Sequence, residues 1–477
     1  MDELEYDVIV IGAGPVGENV ADRVVRGGLT AVIIESELVG GECSYWACMP
    51  SKALLRPGDA LRRARAVAGS AQAAAGRLDP ADVFERRDSF THDWHDDSQV
   101  QWLESAGIDL LRGRGRLVGE RTVSLRPPDG ASVTVRARHA VAVCTGSDAA
   151  LPEVPGLVDA LPWLSRGATS ATEVPASLAV IGGGVVGTEM ATLYSTLGSG
   201  VTVIAGRGLL PGLEPFAGEE VERALGEHGV KVLRRRAVRA GVDGDHKELT
   251  LDDGTTVRAE QILVAAGRAP RTHRLGLSAL GVDGLHDGSW IPVDETLRVP
   301  GTDWLYGVGD VNHRALLTHQ GKYQARAAGD AIVARAAGTR VDEGAWGAHA
   351  ASADHDAVPQ VIFSEPPVAA VGLTASRAAE RGVRARVIDV DLGAVAGAAT
   401  FADGYRGRAR VVVDEEREVL VGATFVGPGV EEMVHAATIA LVGEVPISRL
   451  WHAVPAYPTI GEAWLRWLEQ YGRPVVR

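Results

Sequence analysis

Cysteine is scarce. The 477 residues hold only three: Cys43, Cys48 and Cys144. Three thiols cannot staple a chain this long, so a disulfide-built secreted scaffold is excluded. A structural zinc site of the four-cysteine kind is excluded too, and no metal site is predicted. Lysine is also scarce, with four among 48 basic residues. The net charge of 48 − 62 = −14 leaves no basic excess to coat phosphate backbones, so nucleic acid is not an expected partner. No apolar run reaches the roughly 18 residues that a membrane helix needs. The start, MDELEYDVIVIG, is acidic and lacks the basic flank of a signal peptide. This predicts a cytoplasmic protein with no membrane partner. Length alone argues for two to four domains with sizeable cores.

What is present is a repeated unit. Tyr6 to Ile11 (YDVIVI) reads as a buried parallel strand. Gly12-Ala-Gly14-Pro-Val-Gly17 follows at once, then a helical stretch to about Arg26, then a second strand from Leu29 to Glu35. The same order returns at Leu178 to Ile181, Gly182-Gly-Gly184-Val-Val-Gly187, a helix to about Leu197 and Val201 to Ala205. The two glycine turns lie 182 − 12 = 170 residues apart, a repeat of domain size. Hairpin-like strands follow each unit, and Val141 to Ser147 reads as a further buried strand. Ile262 to Arg268 and Trp304 to Asp310 read likewise. Residues 336–357, rich in Ala, Gly and Asp, read as a linker. From 358 onward the pattern turns to β-rich hairpins and helices, which marks a third domain.

G-x-G-x-x-G alone says little. Here each copy follows a strand, opens a helix and precedes a second strand at the right distance. Glycines let the backbone turn tightly and approach a pyrophosphate, and the helix N-terminus offers free N–H groups. Pro15 suits the first helical turn, where its missing N–H costs nothing. The residue that ends the second strand selects the nucleotide. In the first copy it is Glu35, 23 positions after Gly12, placed to accept from an adenosine ribose hydroxyl. In the second copy the same count from Gly182 reaches Ala205, and Arg207 lies two residues on. An Arg there favours a 2′-phosphate, so NADPH is expected ahead of NADH. A merely solvated Arg207 is the other reading.

Cys43 and Cys48 follow the first unit, in Gly40-Gly41-Glu-Cys43-Ser-Tyr-Trp-Ala-Cys48-Met-Pro-Ser-Lys52. In an ideal helix residues i and i+5 have Cα atoms roughly 8–9 Å apart. A disulfide tolerates about 7 Å. If the pair bonds, the first turn must be distorted and the helix proper starts near Met49. A strained disulfide is the labile kind. Two buried structural thiols are the alternative. Cys144, in a buried strand, reads as inert core.

With these residues in place, essentially the whole chain resembles the FAD-dependent pyridine nucleotide–disulfide oxidoreductases, the dihydrolipoamide dehydrogenase, glutathione reductase and mercuric reductase group. The segment Gly40 to Lys52 matches that family's G-G-x-C-x4-C-x-P-S-K signature. Thr145-Gly146-Ser147 matches its T-G-S turn. Ala266-Gly267-Arg268-Ala269-Pro270 matches A-G-R-x-P. Tyr306 to Asp310 matches its second FAD motif, and Phe363 to Thr374 looks like the start of its dimerisation domain. The resemblance implies that the first nucleotide fold binds FAD and the second binds the nicotinamide. Cys48 would be the flavin-proximal thiolate and Cys43 the thiol that attacks substrate. Asp310 would hold the ribityl chain. Lys52 would sit near the flavin with Glu189 as its ion-pair partner. For His319, in Leu317-Thr318-His319, flavin contact and plain helix capping stand equally. The resemblance also implies a homodimer, with the C-terminal residues completing the partner's site.

One position departs from the family pattern. Members that act on dithiols carry H-P-T-x-x-E near the C-terminus. Here Pro458, Thr459 and Glu462 match, but Tyr457 stands where the His belongs. A phenol titrates near pH 10, a poor base at neutral pH though a serviceable proton donor. Three readings stand side by side. Tyr457 orients or protonates a substrate that needs no base, positioned by Glu462. His452 fills the gap from five residues upstream. Or Tyr457 only packs. Tyr45 and Trp46 are also larger than the residues usual in this loop.

The expected fold is α/β: two Rossmann-like nucleotide-binding domains plus a C-terminal α+β dimerisation domain. The boundaries are set at 1–150 (FAD), 151–274 (NAD(P)), 275–345 (completing the FAD domain) and 346–477 (interface). The expected activity is NAD(P)H-dependent reduction of a small disulfide. The alternatives are reduction of a quinone, metal ion or similar electrophile, and a non-catalytic flavoprotein subunit.

Overall fold

The computed structural model describes residues 3–473. The chain divides into two compact units. One takes in the chain up to Pro50, Arg87–Ala150 and Arg268–His355, and the other takes in Ser51–Arg86, Leu151–Gly267 and the chain from Asp356.

The first unit is built on a seven-stranded sheet. Strand Glu3–Ile11 pairs in parallel with Ala31–Glu35 on one side and Val133–Val143 on the other. Asp109–Arg112 and Leu305–Gly307 extend the parallel part. The hairpin strands Thr122–Arg126 and Arg114–Gly119 add an antiparallel edge. Because side chains alternate along a strand, Val8 and Val10 enter one core while Ile9 and Ile11 enter another. Both faces are therefore buried, as a parallel sheet requires.

The second unit repeats the plan. Lys231–Leu233, Gly200–Ile204, Ser177–Ile181 and Gln261–Val264 form a four-stranded parallel sheet in that order. Val180 and Ile181 again face opposite cores. Its C-terminal part carries a five-stranded antiparallel sheet, Gln360–Ile362 to Ala385–Asp391 at the edges. Helices Val434–Val442 and Ala463–Tyr471 bury Ala437 and Trp467 in the core of that sheet. The architecture is the expected α/β arrangement of two Rossmann-like sheets and an α+β C-terminal part.

Residues 336–357 are more than a tether. Helix Thr318–Ala336 is followed by a short helix, Ala353–Asp356, and Asp354 is buried. Its carboxylate accepts from Gln320 Nε2 at 2.7 Å and Gln324 Nε2 at 2.8 Å. Composition marked this stretch as linker because its one buried carboxylate carries no local signature. No described helix is long and apolar enough to cross a membrane.

Candidate active site

The two glycine turns are built alike. Gly12 has φ +105, and a Cβ there would lie 2.5 Å from Cys144 O. Gly182 has φ +118, and a Cβ would lie 2.2 Å from Ala265 O. Only glycine meets both demands. Gly17 and Gly187 each press on the carbonyl of the first glycine, and Gly14 and Gly184 have open space beside them. Helices Pro15–Arg26 and Val185–Thr196 start at those open glycines without a side-chain cap, leaving N–H groups for an anion.

In the first turn Glu35 accepts from the N–H of Ala13 at 2.6 Å and of Glu37 at 2.7 Å. Its carboxylate is thus fixed at the mouth of the turn. Thr145 Oγ1 and Glu18 Oε1 are buried without a protein partner. Burial pushes Glu18 up to about 7. Such orphaned polar atoms beside an open glycine suit a polar ligand. Asp310 accepts from Ser147 Oγ at 2.5 Å, with Arg268 3.9 Å away, and burial raises it. Gly146 (φ +76) turns the chain beside it, and Gly267 (φ +147) precedes Arg268. These residues fit FAD. Gly12→Ala is expected to yield protein purified without flavin, read from the visible absorbance of the preparation.

The second turn differs where the carboxylate would be. Ala205 is buried, and a Cβ on Gly183 would lie 2.8 Å from Ala205 Cβ and 2.4 Å from Gly208 O. Arg207 is exposed, and among the described residues it makes no ion pair. Two more arginines flank the turn, missed in the sequence because they follow the next strand. Arg234 lies against Gly208 and Arg236 against Gly206. Arg234 is engaged by Glu222 at 2.8 Å, whereas Arg236 has Asp252 only at 3.9 Å. The basic rim and missing acid suit a 2′-phosphate.

The cysteine segment is a broken helix. Helix Gly41–Tyr45 ends at Trp46 (φ −133), and helix Cys48–Arg65 begins one residue earlier than expected. A Cβ on Gly41 would lie 2.8 Å from Gly14 Cα, and Gly40 N–H donates to Ala13 O at 2.7 Å. The cysteine segment therefore sits directly on the first glycine turn. Cys48 Sγ lies 3.2 Å from Thr318 Oγ1, at the start of helix Thr318–Ala336. Thr318 of that segment meets Cys48, and the neighbouring His319 is exposed. Cys144 is buried, and burial pushes its thiol up, which leaves it inert.

Lys52 follows four residues after Cys48 in the same helix. Its Nζ meets Glu189 Oε2 at 2.8 Å. Glu189 is buried, and its other oxygen accepts from Phe363 N–H at 3.0 Å. The ammonium also lies 5.1 Å from the Phe363 ring centre. A buried carboxylate held at both oxygens leaves the lysine little freedom.

The C-terminal residues are not gathered within one chain. Tyr457 is 76% exposed and His452 is exposed. Glu462 is buried at the start of helix Ala463–Tyr471, near Gly397 N–H (3.4 Å) and Arg466 (3.5 Å). No hydrogen bond joins Tyr457 to Glu462 or His452 among the described residues. No cluster of three or more His, Cys, Asp or Glu that could hold a metal occurs among them either.

Two nucleotide turns, a cysteine pair and a charged lysine pair define a flavin- and nicotinamide-dependent redox enzyme. Residues 6–333 match the family model described as pyridine nucleotide-disulphide oxidoreductase, and 358–467 match its dimerisation domain. The chain belongs to this family, whose members use FAD and NAD(P)H, and it carries the domain through which they form homodimers. It is 30% identical over 468 residues to a dihydrolipoyl dehydrogenase of Chlamydia muridarum, covering 96% of this chain and 95% of that one. It is 27% identical over 466 residues to a mercuric reductase of Staphylococcus aureus, covering 96% and 81%. Its fold is similar to the Cu(II) complex of the HOCl-induced flavoprotein disulfide reductase RclA from Escherichia coli. That match has a TM-score of 0.84 at 21% identity and covers 98% of this chain and 100% of that one.

Proposed function

We propose that this enzyme is an NADPH-dependent reductase of a small disulfide, working through Cys43 and Cys48 in a cytoplasmic homodimer. The four segments 1–150, 151–274, 275–345 and 346–477 serve as FAD, nucleotide, FAD-completing and interface parts. The observation that carries the reading is the break between helices Gly41–Tyr45 and Cys48–Arg65. It removes the spacing that keeps residues i and i+5 out of disulfide reach in a continuous helix.

Bound FAD would supply two-electron transfer between the nicotinamide and the cysteine disulfide. The balance is NADPH + H⁺ + RSSR to NADP⁺ + 2 RSH. The chain's own residues bind, orient and move protons. Gly12, Gly14, Gly17 and Glu35 hold the adenosine diphosphate, while Thr145, Gly146 and Asp310 hold the rest of the flavin. Gly182, Gly184, Gly187 and Arg207 hold the NADPH. The Thr318 hydroxyl, 3.2 Å from Cys48, stabilises a thiolate there. Lys52, fixed by Glu189, supplies positive charge on the same helix as Cys48. Cys43 attacks the substrate disulfide.

Tyr457, exposed in the single chain, projects into the partner's site and donates a proton there. A second reading rests on this same residue. With no imidazole at 457, an acceptor that needs no base, such as a quinone or a metal ion, is served as well. NADPH oxidation against lipoamide, glutathione-type and mycothiol-type disulfides and quinones separates the two. Turnover with a disulfide supports the first reading, and turnover with quinones alone supports the second. Tyr457→His is expected to raise turnover with these disulfides at least about tenfold. That is a fraction of the roughly 10²–10⁴ a positioned acid–base group contributes. Unchanged disulfide turnover in the variant counts against a proton-transfer role at 457.

A further inference from the structure

The helix that carries Cys43 stops between the two cysteines, and its end must be received. Carbonyls in the last turn of a helix find no partner inside it. In an unbroken helix Tyr45 O would accept from the N–H four residues on. Here the indole Nε1 of Trp94 donates to Tyr45 O at 3.2 Å.

Trp94 reaches this place through an uncommon backbone. His92, Asp93 and Trp94 have φ of +49, +51 and +59, three consecutive non-glycine residues in the left-handed region. L residues persist there only when their surroundings hold them. Arg87 is 1% exposed, lies 5.2 Å from the centre of the Trp94 ring and pairs with Asp88 at 2.5 Å. The same segment grips the redox stretch at three further points. Tyr45 Oη donates to His95 O at 3.3 Å. Asp96 Oδ2 accepts from Val39 N–H at 2.7 Å and is itself fixed by Arg112. Gln99 Nε2 donates to Ser44 Oγ at 3.2 Å.

We propose that Trp94, seconded by Gln99, is a positioning residue for the redox pair. Its indole N–H caps the Tyr45 carbonyl and stabilises the helix break that lets Cys43 and Cys48 approach. The inference rests on Cys43 and Cys48 being the redox pair. The disulfide needs the break, whereas the dithiol is free of that demand. A contact that favours the break therefore favours the disulfide, so the pair becomes harder to reduce. The half-reaction is disulfide + 2 e⁻ + 2 H⁺ to two thiols, with electrons supplied in the test by an external dithiol.

The full-length FAD-loaded enzyme is equilibrated in dithiothreitol redox buffers at fixed pH, and its thiols are counted by alkylation and mass. Wild type is expected to show one two-electron transition at Cys43 and Cys48. Trp94→Phe keeps a ring over Arg87 but loses the donor. It is expected to move the equilibrium about tenfold towards the dithiol, a potential about 30 mV more positive. Trp94→His, which keeps a ring N–H, is expected to stay within about threefold of wild type. Gln99→Met is expected to shift the equilibrium the same way by less, and it answers the question if Trp94→Phe does not fold. A potential unchanged in every folded donor-deleting variant overturns the inference, whatever happens to Tm. A wild type with no transition at these cysteines overturns the redox-pair reading instead.

Discussion

Cys43→Ser is expected to lower disulfide reduction by about 10³-fold or more while leaving flavin reduction by NADPH within about twofold. The two half-reactions use different parts of the chain. In the proposed scheme, reduction by the nicotinamide would draw on the glycine turn at Gly182 and on the Lys52–Glu189 ion pair. Neither involves Cys43. Reduction of a disulfide requires a sulfur nucleophile, and a serine hydroxyl neither ionises near neutral pH nor forms the mixed disulfide. Cys144 offers no substitute, because burial keeps its thiol protonated. Stopped-flow flavin bleaching, followed by steady-state turnover, reads both halves. Turnover that survives the substitution would sink the disulfide reading, because the acceptor would then be drawing electrons without Cys43. The electrophile reading would take its place.

Arg207→Ala is expected to raise the KM for NADPH about 10–100-fold and to leave NADH nearly unchanged. A hydrogen bond to a charged group contributes about 1.5–3 kcal/mol, and each 1.4 kcal/mol is about tenfold. The contrast between the two turns supports the direction. At Glu35 a carboxylate is locked by two backbone N–H groups. At Ala205 there is a methyl, and Arg207 and Arg236 stand nearby without close ion pairs. A 2′-phosphate would be repelled at the first rim and held at the second. Ala205→Glu should therefore shift preference towards NADH, checked by the ratio of kcat/KM for the two nucleotides. A wild type that prefers NADH, or an Arg207→Ala enzyme with unaltered NADPH kinetics, removes the 2′-phosphate role.

Much of this site is legible in the amino-acid sequence, and the reason is local. A turn that must carry φ above +100 against a neighbouring carbonyl admits glycine alone, so Gly12 and Gly182 are written as glycine. A thiol pair and its lysine are close in sequence because one interrupted helix carries them. Tyr457 stands out as a departure because the residues around it match a known pattern.

Other features come only from the folded chain. Trp94 meets Tyr45 across 49 residues, Phe363 meets Glu189 across 174, and Asp354 holds Gln320 and Gln324 from a stretch that reads as linker. Glu18 is an ordinary helix-face acid until burial leaves one of its oxygens without a partner. The sequence by itself determined where the backbone must turn and where two thiols stand five positions apart, since those features belong to single residues and their neighbours. Tertiary structure alone decided which distant donor caps the broken helix and which carboxylate fixes the lysine. Such pairings depend on how the sheets bring separate segments together, and no periodicity along the chain encodes them.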